Sequence, residues 1–159
     1  MKKKYFEKNE LCISISKKPG LFGTIIHNAG YESLGLNFFY KAFKTDHLEN
    51  SIKGVRALQI RGCSVSMPYK EKVIEYIDEL DLSAKQVKAV NTIVNVNGKL
   101  IGYNTDVVSL KKCLKKISKN KNQTILVLGA GGMSRAVLVA LDYLKMKNIM
   151  ITNRTMSKG

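Results

Sequence analysis

The 159 residues predict an α/β chain: a mixed sheet with helices packed on it, followed by an incomplete parallel β-α-β unit. Three observations lead there. Strand-like and helix-like segments alternate three times before residue 80, a rhythm that favours a parallel or mixed sheet. Two apolar runs then meet at Asn97 and Gly98, the pair that best tolerates the positive φ angles of a type I′ turn, so an antiparallel hairpin interrupts the rhythm. Last, TILVLGAGGMSRAVLVAL followed by NIMITNRT reads as a buried strand, a glycine turn, a helix and a second strand.

Residues 10–16, ELCISIS, alternate as a strand and end in the turn signal KKPG. A helix follows from Thr24 to about Leu34, with Gly35 as its stop, and LNFFYKAF is an aromatic-rich strand. Asp46 is the expected N-cap of a helix through HLENSIKGVRAL, with Glu49 completing a capping box. The third strand, Cys63–Ser66, runs into Pro68, which has no N–H for a sheet ladder and so terminates it. KEKVIEYIDEL is read as a helix, and after the hairpin and YNTD so is the amphipathic VVSLKKCLKKI. The polar stretch KNKNQT marks a domain boundary, giving a first domain with its linker helix over residues 1–118 and a second, partial one over 119–159.

With 45% hydrophobic and 25% charged residues the chain reads as soluble and globular. No apolar run approaches the roughly 18 residues that span a membrane, and the lysine-rich start turns acidic before any apolar core, unlike a signal peptide. Cys12, Cys63 and Cys113 lie far apart with no CxxC and no histidine cluster, which argues against a disulfide framework and a metal site and makes a reducing cytoplasm the expected compartment. The formal charge of +15 raises nucleic-acid binding as a class. Only four of the 27 basic residues are arginine, however, and lysines spread over every predicted helix describe a solvated surface, not a groove reader. Such a surface still attracts small anions.

Gly129, Gly131 and Gly132 stand where a strand feeds a helix. Without Cβ atoms there, a pyrophosphate can approach the amides of the helix N-terminus and sit on its positive dipole. The strict G-x-G-x-x-G pattern is not met, since Ser134 occupies the third glycine position, so the motif is weighed against glycines that only tighten a turn. The second strand ends in Asn153, Arg154 and Thr155, with Lys158 just after. A carboxylate about 20 residues past the glycines would bind a ribose 2′-hydroxyl. Cations stand there instead, which favours a 2′-phosphate and hence NADP over NAD.

In the first domain Lys70 follows the third strand, Asn91 opens the hairpin, and Asn104, Thr105 and Asp106 close it. Ligands of α/β sheets gather beyond the carboxyl ends of strands, so a lysine and a carboxylate from different strands can meet in one cleft. Facing one alcohol, they could share its proton transfer, the carboxylate also holding the ammonium in place. Taken singly, Asp106 also reads as a helix N-cap, Asn91 as a turn residue and Lys70 as a surface cation.

These residues resemble the shikimate dehydrogenases, which carry N-V-T-x-P-F-K, A-V-N-T, G-Y-N-T-D, G-A-G-G and N-R-T segments in this order. This chain has SVSMPYK at 64–70, AVNT at 89–92, GYNTD at 102–106, GAGG at 129–132 and NRT at 153–155. The resemblance implies a substrate domain followed by a Rossmann-type domain, and reversible hydride transfer between NADP and the C3 alcohol of shikimate, giving 3-dehydroshikimate. It implies that Lys70 and Asp106 form the catalytic pair and that Ser64, Ser66, Asn91 and Thr105 line the substrate pocket. Gly129, Ala130, Gly131, Gly132 and Met133 would hold pyrophosphate, and Asn153, Arg154, Thr155 and Lys158 the adenosine 2′-phosphate.

The resemblance has two departures. Family members have S-x-S-P three residues before an H-N pair, and those serines bind the substrate carboxylate. Here His27 and Asn28 follow LFGT, so Leu21 and Gly23 stand for the serines and Thr24 for the proline. Ser64 and Ser66 likewise shorten the family's Asn and Thr. The pattern looks like the divergent shikimate dehydrogenase-like branch, and a site with fewer donors discriminates less between shikimate and related hydroxy acids. His27 is read as a helix residue, not a base. The family also continues through the rest of the nucleotide domain and returns to the substrate domain with a C-terminal helix. A two-stranded remnant is expected to leave apolar faces and a sheet edge uncovered, which invites pairing with another chain, such as a second copy. An inactive fragment that binds ligand weakly or acts only with a partner is the second reading.

Overall fold

The computed structural model describes residues 10–117 and 120–154. Parallel strands β1 (Glu10–Ser16), β2 (Phe38–Lys44) and β3 (Gly62–Val65) are linked by helices α1 (Phe22–Ser33) and α2 (Leu48–Ala57). A short β4 (Glu79–Leu80), helix α3 (Leu82–Val87), the hairpin β5 (Thr92–Val96) and β6 (Lys99–Tyr103), and helix α4 (Thr105–Ile117) follow. These six strands form one mixed sheet in the order β2-β1-β3-β5-β6-β4, in which β5 alone runs against its neighbours. Beyond it, β7 (Thr124–Leu128), α5 (Gly132–Tyr143) and β8 (Asn148–Thr152) make the predicted β-α-β unit, with a parallel two-stranded sheet of its own.

Period-2 alternation sets the faces of the main sheet. Ile13 and Ile15 of β1 and Cys63 and Val65 of β3 point into a core completed by Ile52 and Val55 of α2 and by Ile93 and Leu100 of the hairpin. The hairpin turns where expected, with Asn97 at φ 53° and Gly98 at φ 89°. Gly35, at φ +63°, ends α1 as predicted.

Two local expectations are corrected. Asp46 does not cap α2: His47 stands at the cap position, and Thr45 organises the turn by accepting from the His47 N–H (3.0 Å) and the Ser51 hydroxyl (2.8 Å). Glu49 closes no capping box and pairs instead with Lys53 at 2.7 Å. KEKVIEYIDEL is not an α-helix but a short 3-10 turn, Lys72–Tyr76, leading into β4. The sheet overrides the local pattern here: the Asp78 N–H donates to the Leu100 carbonyl (3.0 Å), and its carboxylate accepts from the Leu100 N–H (2.7 Å) and from Arg56 (2.8 Å). The segment is thereby drawn out to cover the edge of β6.

Helix α5 packs on α3 and α4 through Ala136 and Val139 against Val87, Val107 and Leu110, and Arg135 pairs with Glu71 at 3.2 Å. The uncovered apolar faces expected of the two-stranded sheet are present, with Leu126, Leu128, Met150 and Ile151 exposed; Leu21, Phe22 and Ile25 around the start of α1 are exposed as well, which the sequence does not foretell. Among the described residues, no helix is long and apolar enough to cross a membrane.

Candidate active site

The reversed direction of β5 makes the site. Strands β1, β3 and β6 end at one edge of the sheet, and β5, running the other way, begins there. The residue just before β5 therefore meets the residues just after β3 and β6.

Each is held by backbone bonds that follow from sequence order. After β3 the chain turns through Met67 and Pro68, and the buried Tyr69 anchors the turn by donating its hydroxyl to the Thr45 carbonyl at 2.6 Å. Lys70 comes next, its carbonyl accepting from the Val90 N–H at 2.7 Å, which ties it to the segment entering β5. Asn91 bridges the two sides: its carbonyl accepts from the Val65 N–H (2.8 Å) and its N–H donates to the Tyr103 carbonyl (3.0 Å). From the end of β6, Asp106 reaches back so that its Oδ2 lies 2.8 Å from the Lys70 Nζ. Both side chains are about four-fifths shielded, at 22% and 23% exposure, so the ion pair is less screened than a surface one.

Around this pair stand polar side chains with defined partners. Asn91 Nδ2 donates to Thr105 Oγ1 at 2.9 Å, while Asn91 Oδ1 accepts from the Thr105 N–H (3.0 Å) and the Thr92 hydroxyl (2.9 Å). Ser64 sits between Ser14 of β1 and Thr92 of β5 in register, on the face opposite the buried Cys63 and Val65. Ser66 continues that face, its N–H donating to the Ile15 carbonyl at 3.0 Å. Only strand register places Ser14 and Thr92 beside Ser64, so local sequence does not mark either as a site residue.

Asp106 does not cap α4. Asn104, 2% exposed, does so by accepting the Asp106 N–H at 3.1 Å, and its Nδ2 donates to the Ala89 carbonyl at 2.9 Å. Ser83 supports it, accepting the Asn104 N–H at 3.0 Å. Division of labour within YNTD leaves the Asp106 carboxylate available to Lys70.

The glycine turn lies at the start of α5. Gly129 has φ +100°, a region that favours glycine, and its N–H donates to the Thr152 carbonyl at 2.7 Å. That bond sets Asn153 and Arg154, which follow Thr152, beside the turn. Ser134 explains its own departure from the strict pattern: its hydroxyl donates to the Gly129 carbonyl at 2.6 Å and closes the loop. A Cβ on Gly131 or Gly132 would meet nothing within 4 Å, so the helix N-terminus framed by Ala130 and Met133 is open to a bulky anion. Thr155 and Lys158 lie outside the described residues.

Cys63 is inert by environment, burial pushing its thiol up to about 12. His27 is a helix residue stacked on Tyr40 at 4.3 Å between ring centroids.

Two family models match the chain: the shikimate dehydrogenase substrate binding domain over residues 16–93, and shikimate / quinate 5-dehydrogenase over residues 111–159. A shikimate dehydrogenase-like protein of Haemophilus influenzae is 48% identical over 150 residues, which cover 94% of this chain and 55% of that protein. Among solved structures, a shikimate 5-dehydrogenase-like protein superposes with a TM-score of 0.89 at 47% identity, over 96% of this chain and 57% of the other. The shikimate 5-dehydrogenase of Thermus thermophilus, in complex with NADP(H) and shikimate, superposes at 0.80 with 31% identity, over 95% and 58%. The chain spans about half the length of the curated relatives it matches.

Proposed function

The chain belongs to the shikimate dehydrogenase family, and from that premise we propose that it is an NADP-dependent oxidoreductase of the shikimate dehydrogenase-like type, acting on the C3 alcohol of shikimate or a related cyclic hydroxy acid. In this reading residues 1–118 carry the substrate site and 119–159 begin the nucleotide side. The observation that carries it is the shielded Lys70–Asp106 contact, 2.8 Å, set beside the Asn91–Thr105 pair.

NADP, when bound, supplies the hydride acceptor for the alcohol carbon and, reduced, the donor to the ketone. The open glycine turn fits a pyrophosphate, and Arg154 beside it suits a 2′-phosphate. For ketone reduction the Lys70 ammonium donates a proton to the oxygen on which charge develops, then recovers one from solvent. In the alcohol direction the same group, deprotonated, accepts it. Asp106, its Oδ2 at 2.8 Å from the Lys70 Nζ, holds the ammonium at the reacting oxygen. Ser64, Ser66, Asn91 and Thr105 supply hydroxyl and amide groups that orient the remaining hydroxyls of the ring.

The test is NADPH formation by the whole chain with shikimate as substrate. Lys70→Ala is expected to lower kcat by about 10³-fold with a much smaller change in KM. Full turnover by that variant would remove Lys70 from its assigned role. The exposed apolar residues of β7 and β8 favour a second reading, in which both ligands bind but turnover waits on a partner that covers this face. In that case NADP and shikimate each raise the melting temperature while no NADPH forms.

A further inference from the structure

We infer that the acid group of the substrate is held from strand β2, by the Tyr40 hydroxyl and the Lys44 ammonium, and not from the loop that leads into α1. This rests on the proposal above that the substrate is a cyclic hydroxy acid seated over the ends of β1 and β3. A carboxylate drawn from water into such a site needs hydrogen-bond donors and preferably a cation. Where the family carries its two serines stand Leu21 and Gly23, neither with a side-chain donor, and Leu21 is turned out to solvent at 74% exposure; the cations of the loop itself, Lys17 and Lys18, are exposed.

Beside Gly23 lies the phenol of Tyr40. A Cβ on Gly23 would stand 3.5 Å from the Tyr40 hydroxyl oxygen and 3.5 Å from its ring, so the absence of a side chain at 23 leaves this donor the nearest group at the start of α1. Tyr40 is 4% exposed and is held from α1. His27 stacks on its ring at 4.3 Å, and Asn28 clasps its backbone, donating Nδ2 to the Tyr40 carbonyl (2.9 Å) and accepting the Tyr40 N–H at Oδ1 (2.8 Å). His27 and Asn28, which the proton transfer does not use, thereby become positioning residues for the phenol.

Lys44 supplies the charge. Strand alternation puts Tyr40, Ala42 and Lys44 on the face of β2 that looks toward α1, with Lys44 at the end nearest the site edge. In register it stands beside Ser16 of β1, whose other neighbour is the Ser66 segment. Lys17, another cation at this edge, has Asp46 at 3.9 Å.

The experiment is calorimetric titration of the whole chain with shikimate and with its methyl ester, which keeps the ring and loses the charge. The wild type is expected to bind the acid about tenfold or more tighter than the ester. Tyr40→Phe and Lys44→Gln should each weaken the acid about five- to tenfold and leave the ester unchanged, while Lys44→Arg retains the preference. A thermal shift with NADP reports whether each variant is folded, and Lys44→Gln alters only an exposed side chain. Variants that keep the full acid preference would overturn the assignment, as would a wild type that binds acid and ester equally. A wild type that binds neither would overturn the proposed function itself.

Discussion

At the scale of single residues, one missing Cβ holds the GYNTD segment in place. A Cβ on Gly102 would stand 2.5 Å from Ile77 Cδ1 and 2.7 Å from Val90 Cγ2, closer than carbon atoms pack. Gly102 is therefore a packing residue in a motif otherwise read for chemistry. Gly102→Ala is expected to destabilise the fold by about 1–3 kcal/mol through overpacking, seen as a lower urea midpoint at unchanged slope. A midpoint equal to that of the wild type would show that Ile77 and Val90 give way freely. The sequence marks Gly102 as part of a pattern but cannot say why, since Ile77 and Val90 reach it from two other segments.

At the scale of elements, the helix that presents Asp106 depends on a neighbour. Asn104 caps α4 and is itself tied to Ala89 and Ser83, so it joins the end of β6 to the segments on either side of α3. Asn104→Ala should cost about 1–3 kcal/mol, the loss of a cap plus a buried carbonyl left unpaired. It should also lower activity with the Asp106 carboxylate still present. Thermal melts and kcat measured on the same preparation check both, and an Asn104→Ala protein of unchanged stability would rule out the capping role. The strands β1, β2 and β3, the hairpin and the β-α-β unit were legible because alternation and turn chemistry are local. Two features were not. Residues 71–80 carry apolar side chains at helical spacing, yet the open edge of β6 and the Arg56–Asp78 bond draw the end of the segment into extended chain and leave only a 3-10 turn at Lys72–Tyr76. Asp106 has the composition of a cap, but Asn104 is nearer the helix start and takes the bond.

At the scale of the whole molecule, Arg56, Asp78 and Leu100 clasp α2, the β4 segment and β6 together, and Arg56 also donates to the Gly98 carbonyl. The Arg56 guanidinium, with help from the Leu100 N–H, holds the Asp78 carboxyl below its ordinary range. A carboxyl depressed in the folded state contributes stability that is present above its unfolded value and is lost as pH falls through its folded one. The wild type should therefore lose melting temperature on acidification below about pH 4. Asp78→Asn should already be lower by about 3 °C at neutral pH, as suits a partly exposed pair worth about 1 kcal/mol, with a flatter acid limb. Parallel acid limbs for the two proteins would refute this. By itself the sequence determined the order of elements from β1 to β3, the β-α-β unit, the glycine turn, the hairpin and the identity of Lys70, Asn91, Thr105 and Asp106, because each is carried by a local pattern or an ordered motif. Only the tertiary structure decided that these four residues meet, that Ser14 and Thr92 join Ser64 in one row, and that Tyr40 stands beside Gly23. Those are matters of strand direction and register, and a chain read residue by residue contains neither until its sheet has formed.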